Sequence, residues 1–150
     1  MPTYQAAAEA YIEGLAAYME THSVWRRWPT SLATISIGAV DSLADDWLAQ
    51  RRVTGWQGET GLSLARLVYD AFQTLFGSER WLALAKKGGL PQRPLWSEMM
   101  PPDFQYPDTR YLATLALPGT VSSLEPVLWQ AYGELKPEPS SFSWDGTAAR

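Results

Sequence analysis

The sequence predicts an α/β fold, helix-rich and with about three parallel strands, amounting to a partial (half) TIM-type β/α barrel. Short β-branched runs alternate with longer stretches of helical period, the order that builds parallel pairing through crossover helices. The chain has 150 residues, whereas a closed eight-stranded barrel typically takes about 250. A parallel half-sheet left alone exposes edge strands and one open face, which soluble proteins cover. Another chain, a second copy or a rearranged topology is therefore expected to complete it.

From Tyr4 to Glu20, apolar residues recur at Tyr4, Ala7, Ala8, Tyr11, Leu15, Tyr18 and Met19, the spacing of one helical face. His22 to Pro29 reads as a loop. Leu32 to Ile37 is rich in β-branched residues and ends at Gly38, which predicts a strand buried on both faces. Asp41 or Ser42 is placed to cap a helix holding Leu43, Trp47 and Leu48. Gly55, Gly58 and Gly61 punctuate a loop before a long helix from about Leu62 to Phe76, with Leu64, Ala65, Val68, Phe72 and Leu75 on one stripe. Ser78 and Glu79 open a short helix that Lys86, Lys87 and Gly88 close, matching the preferred chemistry of helix ends.

A second strand is expected at Gln92 to Ser97, with Pro94 confined to a place where no ladder bond is required. Glu98 to Pro107, with its prolines, is a loop. A helical turn near Asp108 to Leu115 and a short strand around Thr120 to Ser122 follow. Ser122 and Glu125 have capping-box spacing and Pro126 suits a first helical turn, so a last helix is expected over Glu125 to Gly133. Residues 1–135 thus form one domain. Residues 136–150 are a Pro/Ser-rich tail whose large apolar anchors are Phe142 and Trp144. There is no internal repeat.

With 46% hydrophobic and 19% charged residues, the chain can bury one sizeable core without metal or disulfide. The absence of cysteine removes thiolate catalysis and cysteine-ligated zinc. The start, Met-Pro-Thr-Tyr, has no basic and apolar leader pattern, and no run of about 18 apolar residues occurs. A cytoplasmic location and no membrane span are expected. A net charge of -4 works against a phosphate backbone, so nucleic acid is not an expected partner. Eight Trp and seven Tyr are mostly core material, but the same residues anchor protein interfaces, and their excess points towards a large contact with another chain.

The stretch Gln92 to Tyr111, QRPLWSEMMPPDFQYPDTRY, carries a specific resemblance. Pro94, Leu95, Trp96, Tyr106, Asp108 and Tyr111 stand where transaldolases of the bacterial and plant type have a PLWASTxTKNPxYxDxxYV segment, a barrel strand and its phosphate-binding loop. Ser31, Ala33, Val40 and Asp41 resemble the SVASFFVSRVD strand of that family. Phe72, Phe76, Arg80 and Trp81 resemble its FxxxFxxxRW helix region. Pro118, Thr120, Val121 and Pro126 are similar to its P-x-TVNTMP segment, and Tyr4, Glu9, Ala10 and Tyr11 to its RYxxVAEAYL helix. The likeness runs from about Tyr4 to Gly133 in family order and at nearly family spacing.

Transaldolases move a dihydroxyacetone unit between sugar phosphates through a Schiff base on a barrel lysine, in the pentose phosphate pathway. By the resemblance, that lysine has no matching position here, and the family's early acid and base residues would precede Met1. The motif's Ser falls on Glu98, its phosphate-contacting Lys on Pro102, and the Arg of SRVD on Ala39. The frame of the phosphate site is kept and its cations are replaced. The resemblance therefore implies a catalytically inactive, transaldolase-like protein, a structural or regulatory subunit working through protein contacts, with no catalytic residue, cofactor or metal. The alternative is one half of a split transaldolase-like enzyme whose lysine sits on another chain.

Other residues bear on chemistry directly. Lys86 and Lys87 are candidate Schiff-base amines, though adjacent lysines before Gly-Gly read more simply as a solvated helix end. His22 is a candidate base, or a cation resting on helix-terminal carbonyls. Glu98, Asp103 and Asp108 surround the loop after the second strand, where a barrel places its active site, although Asp108 also matches a family position that caps a helix. Trp25, Arg26, Arg27 and Trp28 interleave aromatic and basic residues and, with Met99 and Met100, are the candidate surface for a protein partner.

Overall fold

The computed structural model describes residues 2–22, 28–102 and 105–135. Its elements are α1 (Pro2–Thr21), β1 (Ser31–Ser36), α2 (Ile37–Gln50), α3 (Thr60–Phe76), α4 (Glu79–Ala85), β2 (Gln92–Ser97), α5 (Arg110–Leu115), β3 (Val121–Ser122) and α6 (Pro126–Leu135). The three strands form one parallel sheet in the order β1-β2-β3. The helix-rich, three-stranded partial barrel expected from the sequence is the architecture observed. The tail, residues 136–150, lies outside the described residues.

Strand alternation sorts the sheet into two unlike faces. Register pairs Ala33 with Pro94 and Ile35 with Trp96. Ala33, Ile35 and Trp96 pack with Tyr4 and Ala8 of α1 and with Leu62, Ala65, Val68 and Phe72 of α3 in the main core. A second cluster joins Ile12 and Leu15 of α1 to Trp81 and Leu84 of α4. On the opposite face Leu32, Thr34 and Arg93 are exposed. β1 is therefore not buried on both faces as its composition suggested. It is an edge strand, helix-covered on one side, and Leu32 keeps 50% of its surface.

Pro94 in the central strand is accommodated by its neighbours. Pairing of β2 with β3 begins one residue later, at Leu95 and Val121. Beside Pro94 the Arg93 guanidinium donates to the carbonyls of Gly119 (3.0 Å) and Thr120 (2.6 Å), supplying donors where the imino acid has none.

Helix starts depart from expectation in three places. α2 follows β1 without a loop, its N-cap is Ser36 with no side-chain cap bond, and Asp41 lies inside the helix rather than capping it. The N-cap of α5 is Thr109, so Asp108 does not cap. α6 begins at Pro126, which puts Glu125 just before the helix and Ser122 in β3, breaking the capping box; the amides of Leu128 and Trp129 donate to the Glu125 carbonyl instead. Ser78 does cap α4, accepting from the Trp81 amide. Among the described residues no helix is long and apolar enough to cross a membrane.

Candidate functional site

The rim at the carboxyl ends of the strands is where an α/β barrel puts its chemistry. β1 and β2 end side by side at Ser36 and Ser97, whose hydroxyls lie 3.2 Å apart. Past them the Gly38 amide donates to the Glu98 carbonyl at 3.0 Å. A Cβ at position 38 would meet that carbonyl oxygen at 2.8 Å and the Met100 carbonyl oxygen at 3.1 Å, so only glycine lets the two backbones come this close. Glu98 itself has φ 53, the left-handed region that a residue with a side chain enters at a cost.

This rim encloses a cavity of about 280 Å³ lined by Gly38, Ser42, Glu98, Met100, Pro101, Pro102 and Glu125. Its charged lining is two carboxylates. Glu125 has one buried carboxyl oxygen, Oε2, without a hydrogen-bond partner. Glu98 and Pro102, two of the three residues that the motif resemblance sets at phosphate-site positions, thus face one cavity. The third, Ala39, follows Gly38 in the first turn of α2. An anion entering here meets negative charge and proline rings. Among the described residues no group of three metal-ligating side chains converges.

Of the remaining sequence candidates, Met100 lines the rim cavity, whereas Met99, Trp28, Lys86, Lys87, His22 and Asp108 do not. Met99 is fully buried in the main core, which leaves only Met100 of that pair at the surface. Trp28 donates its indole N–H to the Lys87 carbonyl at 2.9 Å. Lys86 is the C-cap of α4, and both lysines are exposed. His22 places Nδ1 2.9 Å from the Tyr18 carbonyl and stacks on the Tyr18 ring at 3.8 Å, a helix-end arrangement. Asp108 is exposed. Trp25, Arg26, Arg27 and Asp103 lie outside the described residues.

Sequence reading missed the groups that hold the rim in place. Asp41 is fully buried and accepts from the Gly61 amide at 2.5 Å and from the Tyr111 hydroxyl. Burial first, and then the Asp41 carboxylate, push the Tyr111 phenol well above its ordinary range. Nearby, Arg110 pairs with Glu59 at 2.5 Å and lies 3.9 Å over the Tyr106 ring, whose hydroxyl donates to the Gln57 carbonyl at 2.7 Å. Burial alone would lower the Arg110 pKa, but the hydrogen bond and charge of Glu59, aided by Tyr106, carry it upward. These contacts fasten the loop before α3 to the segment before α5. The available signal was that Asp41, Tyr106 and Tyr111 all sit at motif positions.

No protein-family model matches the chain. Comparison with curated proteins does return relatives. The chain is 36% identical over 126 residues to the transaldolase of Thermobifida fusca, a match covering 81% of this chain and 33% of that protein. It is 33% identical over 137 residues to the transaldolase of Frankia alni, covering 87% and 36%, and 39% identical over 97 residues to that of an Arthrobacter species, covering 63% and 26%. The chain spans about a quarter to a third of the length of these curated relatives.

Proposed function

From the premise that this chain is a partial transaldolase-family sequence, we propose that it does not catalyse sugar-phosphate transfer and serves as a structural or regulatory subunit through protein contacts. The observation that carries this reading is the rim cavity, where Glu98, Glu125 and Pro102 line the space. By the motif resemblance, Ala39, Glu98 and Pro102 stand where the family has an arginine, a serine and a lysine. A unit negative charge held about 5 Å from one carboxylate is repelled by about 3 kcal/mol at an effective dielectric of about 20. Two carboxylates and no cation in the lining make the rim a poor host for a phosphate group. The protein-contact half of the proposal draws on the exposed aromatic residues Trp47, Trp56 and Trp129, on Met100, and on the sequence cluster at Trp25 to Trp28. A cytoplasmic location and a division into a 1–135 domain and a 136–150 tail belong to the same proposal.

A second reading, one half of a split enzyme, is favoured by the matched length of only about a third of each relative. It requires the rim to take phosphate once a lysine-bearing chain is supplied. Treatment with fructose 6-phosphate and borohydride, followed by mass spectrometry, tests the first reading. An unmodified chain is expected; a reduced covalent adduct on it would overturn the non-catalytic reading.

A further inference from the structure

Helix α2 has two opposite stripes. Along one, Ile37, Asp41, Ala44 and Leu48 are buried or half-buried, and the helix packs on α3 and β2. On the other, Leu43, Asp46, Trp47 and Gln50 recur at helical spacing and are all exposed. Leu43 keeps 74% of its surface and Trp47 52%. A helix face turned to water is ordinarily polar, so a leucine and a tryptophan one turn apart on it mark a contact surface. Both chain neighbours of α2, β1 and α3, are in place, and this stripe is the helix's own outer side.

The surroundings hold these side chains out. The Arg51 guanidinium lies 3.9 Å over the Trp47 ring and donates to the Trp47 carbonyl at 3.4 Å. After it the chain folds back along the last two turns of α2, where the Val53 amide donates to the Leu48 carbonyl and the Gly58 amide to the Asp45 carboxylate, each at 3.0 Å. Gln57 braces this loop from within, accepting from the Gly55 and Trp56 amides and donating to the Val53 carbonyl. Trp56 is thereby fixed beside α2 at 66% exposure. Charge is ordered along the same helix. Asp46 lies on the N-terminal side of Trp47, Arg51 and Arg52 on the C-terminal side, and none of the three has an ion-pair partner among the described residues.

We infer that the outer face of α2 binds a second copy of this chain, the two α2 helices antiparallel across a two-fold axis near Trp47. The inference rests on the protein-contact reading above and names its partner. With a rise of about 1.5 Å per residue, Leu43 and Arg51 sit about 6 Å to either side of Trp47 along the helix. An antiparallel copy therefore sets each Leu43 level with the aliphatic stem of the opposite Arg51 and brings each Asp46 within reach of the opposite guanidinium, while Trp47 meets Trp47. A parallel copy would set Asp46 against Asp46 and Arg51 against Arg51. Acid and base thus complement each other on one and the same face, the condition for a contact between identical surfaces. The net charge of -4 makes copies repel at long range. This face, with two arginines beside Asp46, is where that repulsion is locally reversed.

Sedimentation equilibrium of the full chain at micromolar concentration tests this, with far-ultraviolet circular dichroism as the check on folding. A mass of two chains is expected. Leu43→Glu and Trp47→Glu, both at exposed positions, should each weaken the dimer at least about tenfold and keep the helical spectrum. Asp46→Arg alone and Arg51→Glu alone should each weaken it about threefold or more, and an equimolar mixture of the two should regain the parental affinity, because each substituted charge then meets its opposite. A monomer throughout, a dimer indifferent to the glutamate substitutions at Leu43 and Trp47, single charge variants that associate as well as the parent, or a mixture no tighter than its components would each overturn the inference. A borohydride-trapped sugar adduct on an intact dimer would sink only the non-catalytic reading, and a monomer that takes no adduct would sink only the dimer.

Discussion

Tyr111 donates its hydroxyl to Asp41 across 70 residues of sequence, and both side chains are fully buried. The same carboxyl group takes the Gly61 amide in the first turn of α3. One acid thus joins α2, α3 and α5. A Cβ at position 61 would meet the Ile37 carbonyl oxygen at 2.7 Å and the Asp41 carboxyl carbon at 3.1 Å, which explains the glycine. The rim cavity sits on this junction, since Gly38 and Ser42 belong to the same helix as Asp41.

Tyr111→Phe is expected to cost about 1–3 kcal/mol, the range for a hydrogen bond to a polar or charged acceptor. Asp41→Ala costs more, about 2–5 kcal/mol, because it strands both the phenol and the Gly61 amide. In urea unfolding of the two single variants and the double variant, the coupling energy should exceed about 0.5 kcal/mol. Additive losses would show that the two side chains do not act together.

Alkaline pH should unfold the chain by way of its tyrosines. Burial holds the phenols of Tyr4 and Tyr111 well above their ordinary value of 10.0, so in the folded chain they stay neutral where the unfolded chain ionises. Their stability contribution is whole below about pH 10 and falls as pH rises beyond it, by about 1.4 kcal/mol per pH unit for each phenol. Tyr111→Phe should flatten that decline by one proton, measured as unfolding free energy between pH 9 and pH 11 (about the ordinary phenol range).

Most elements were legible because their signals are local. The stripe at Leu64, Ala65, Val68 and Phe72 marks α3, and Ser78 before Glu79 marks the α4 cap. The failures are tertiary. Asp41 has the composition of a cap, but the chain passes from β1 into α2 without a loop, and only a partner 70 residues away reveals its role. β1 looked buried on both faces because apolar β-branched content does not tell an edge strand from a central one. At the rim, Glu98 and Pro102 were found because they interrupt a motif, whereas Glu125 and Gly38 were not, since their part comes from which strand ends are neighbours. Met99 and Met100 are adjacent in sequence and opposite in environment, a distinction no spacing rule encodes.

Backbone geometry at the rim gives opposite outcomes for two neighbours. Gly38→Ala should destabilise by about 1–3 kcal/mol, because the new methyl group meets two carbonyl oxygens that cannot rotate away. Glu98→Gly relieves the positive φ and should be neutral or stabilise by up to about 1 kcal/mol. Thermal unfolding of both variants distinguishes them by sign.

The methionine pair offers a packing test. Met99→Ala removes a fully buried side chain and should cost about 2–5 kcal/mol. Met100→Ala, at a position 38% exposed, should stay within about 0.5 kcal/mol of the parent. Equal losses would mean that Met100 is also packed.

Calorimetric titration with fructose 6-phosphate tests the central claim most directly, comparing the parent chain with the triple variant Ala39→Arg, Glu98→Ser, Pro102→Lys. The parent should give no saturable heat at millimolar ligand, and the variant, with a hydroxyl and two cations introduced, should bind. Saturable binding by the parent, abolished by substitution of rim residues, would contradict the reading of this rim as a site that no longer accepts sugar phosphates.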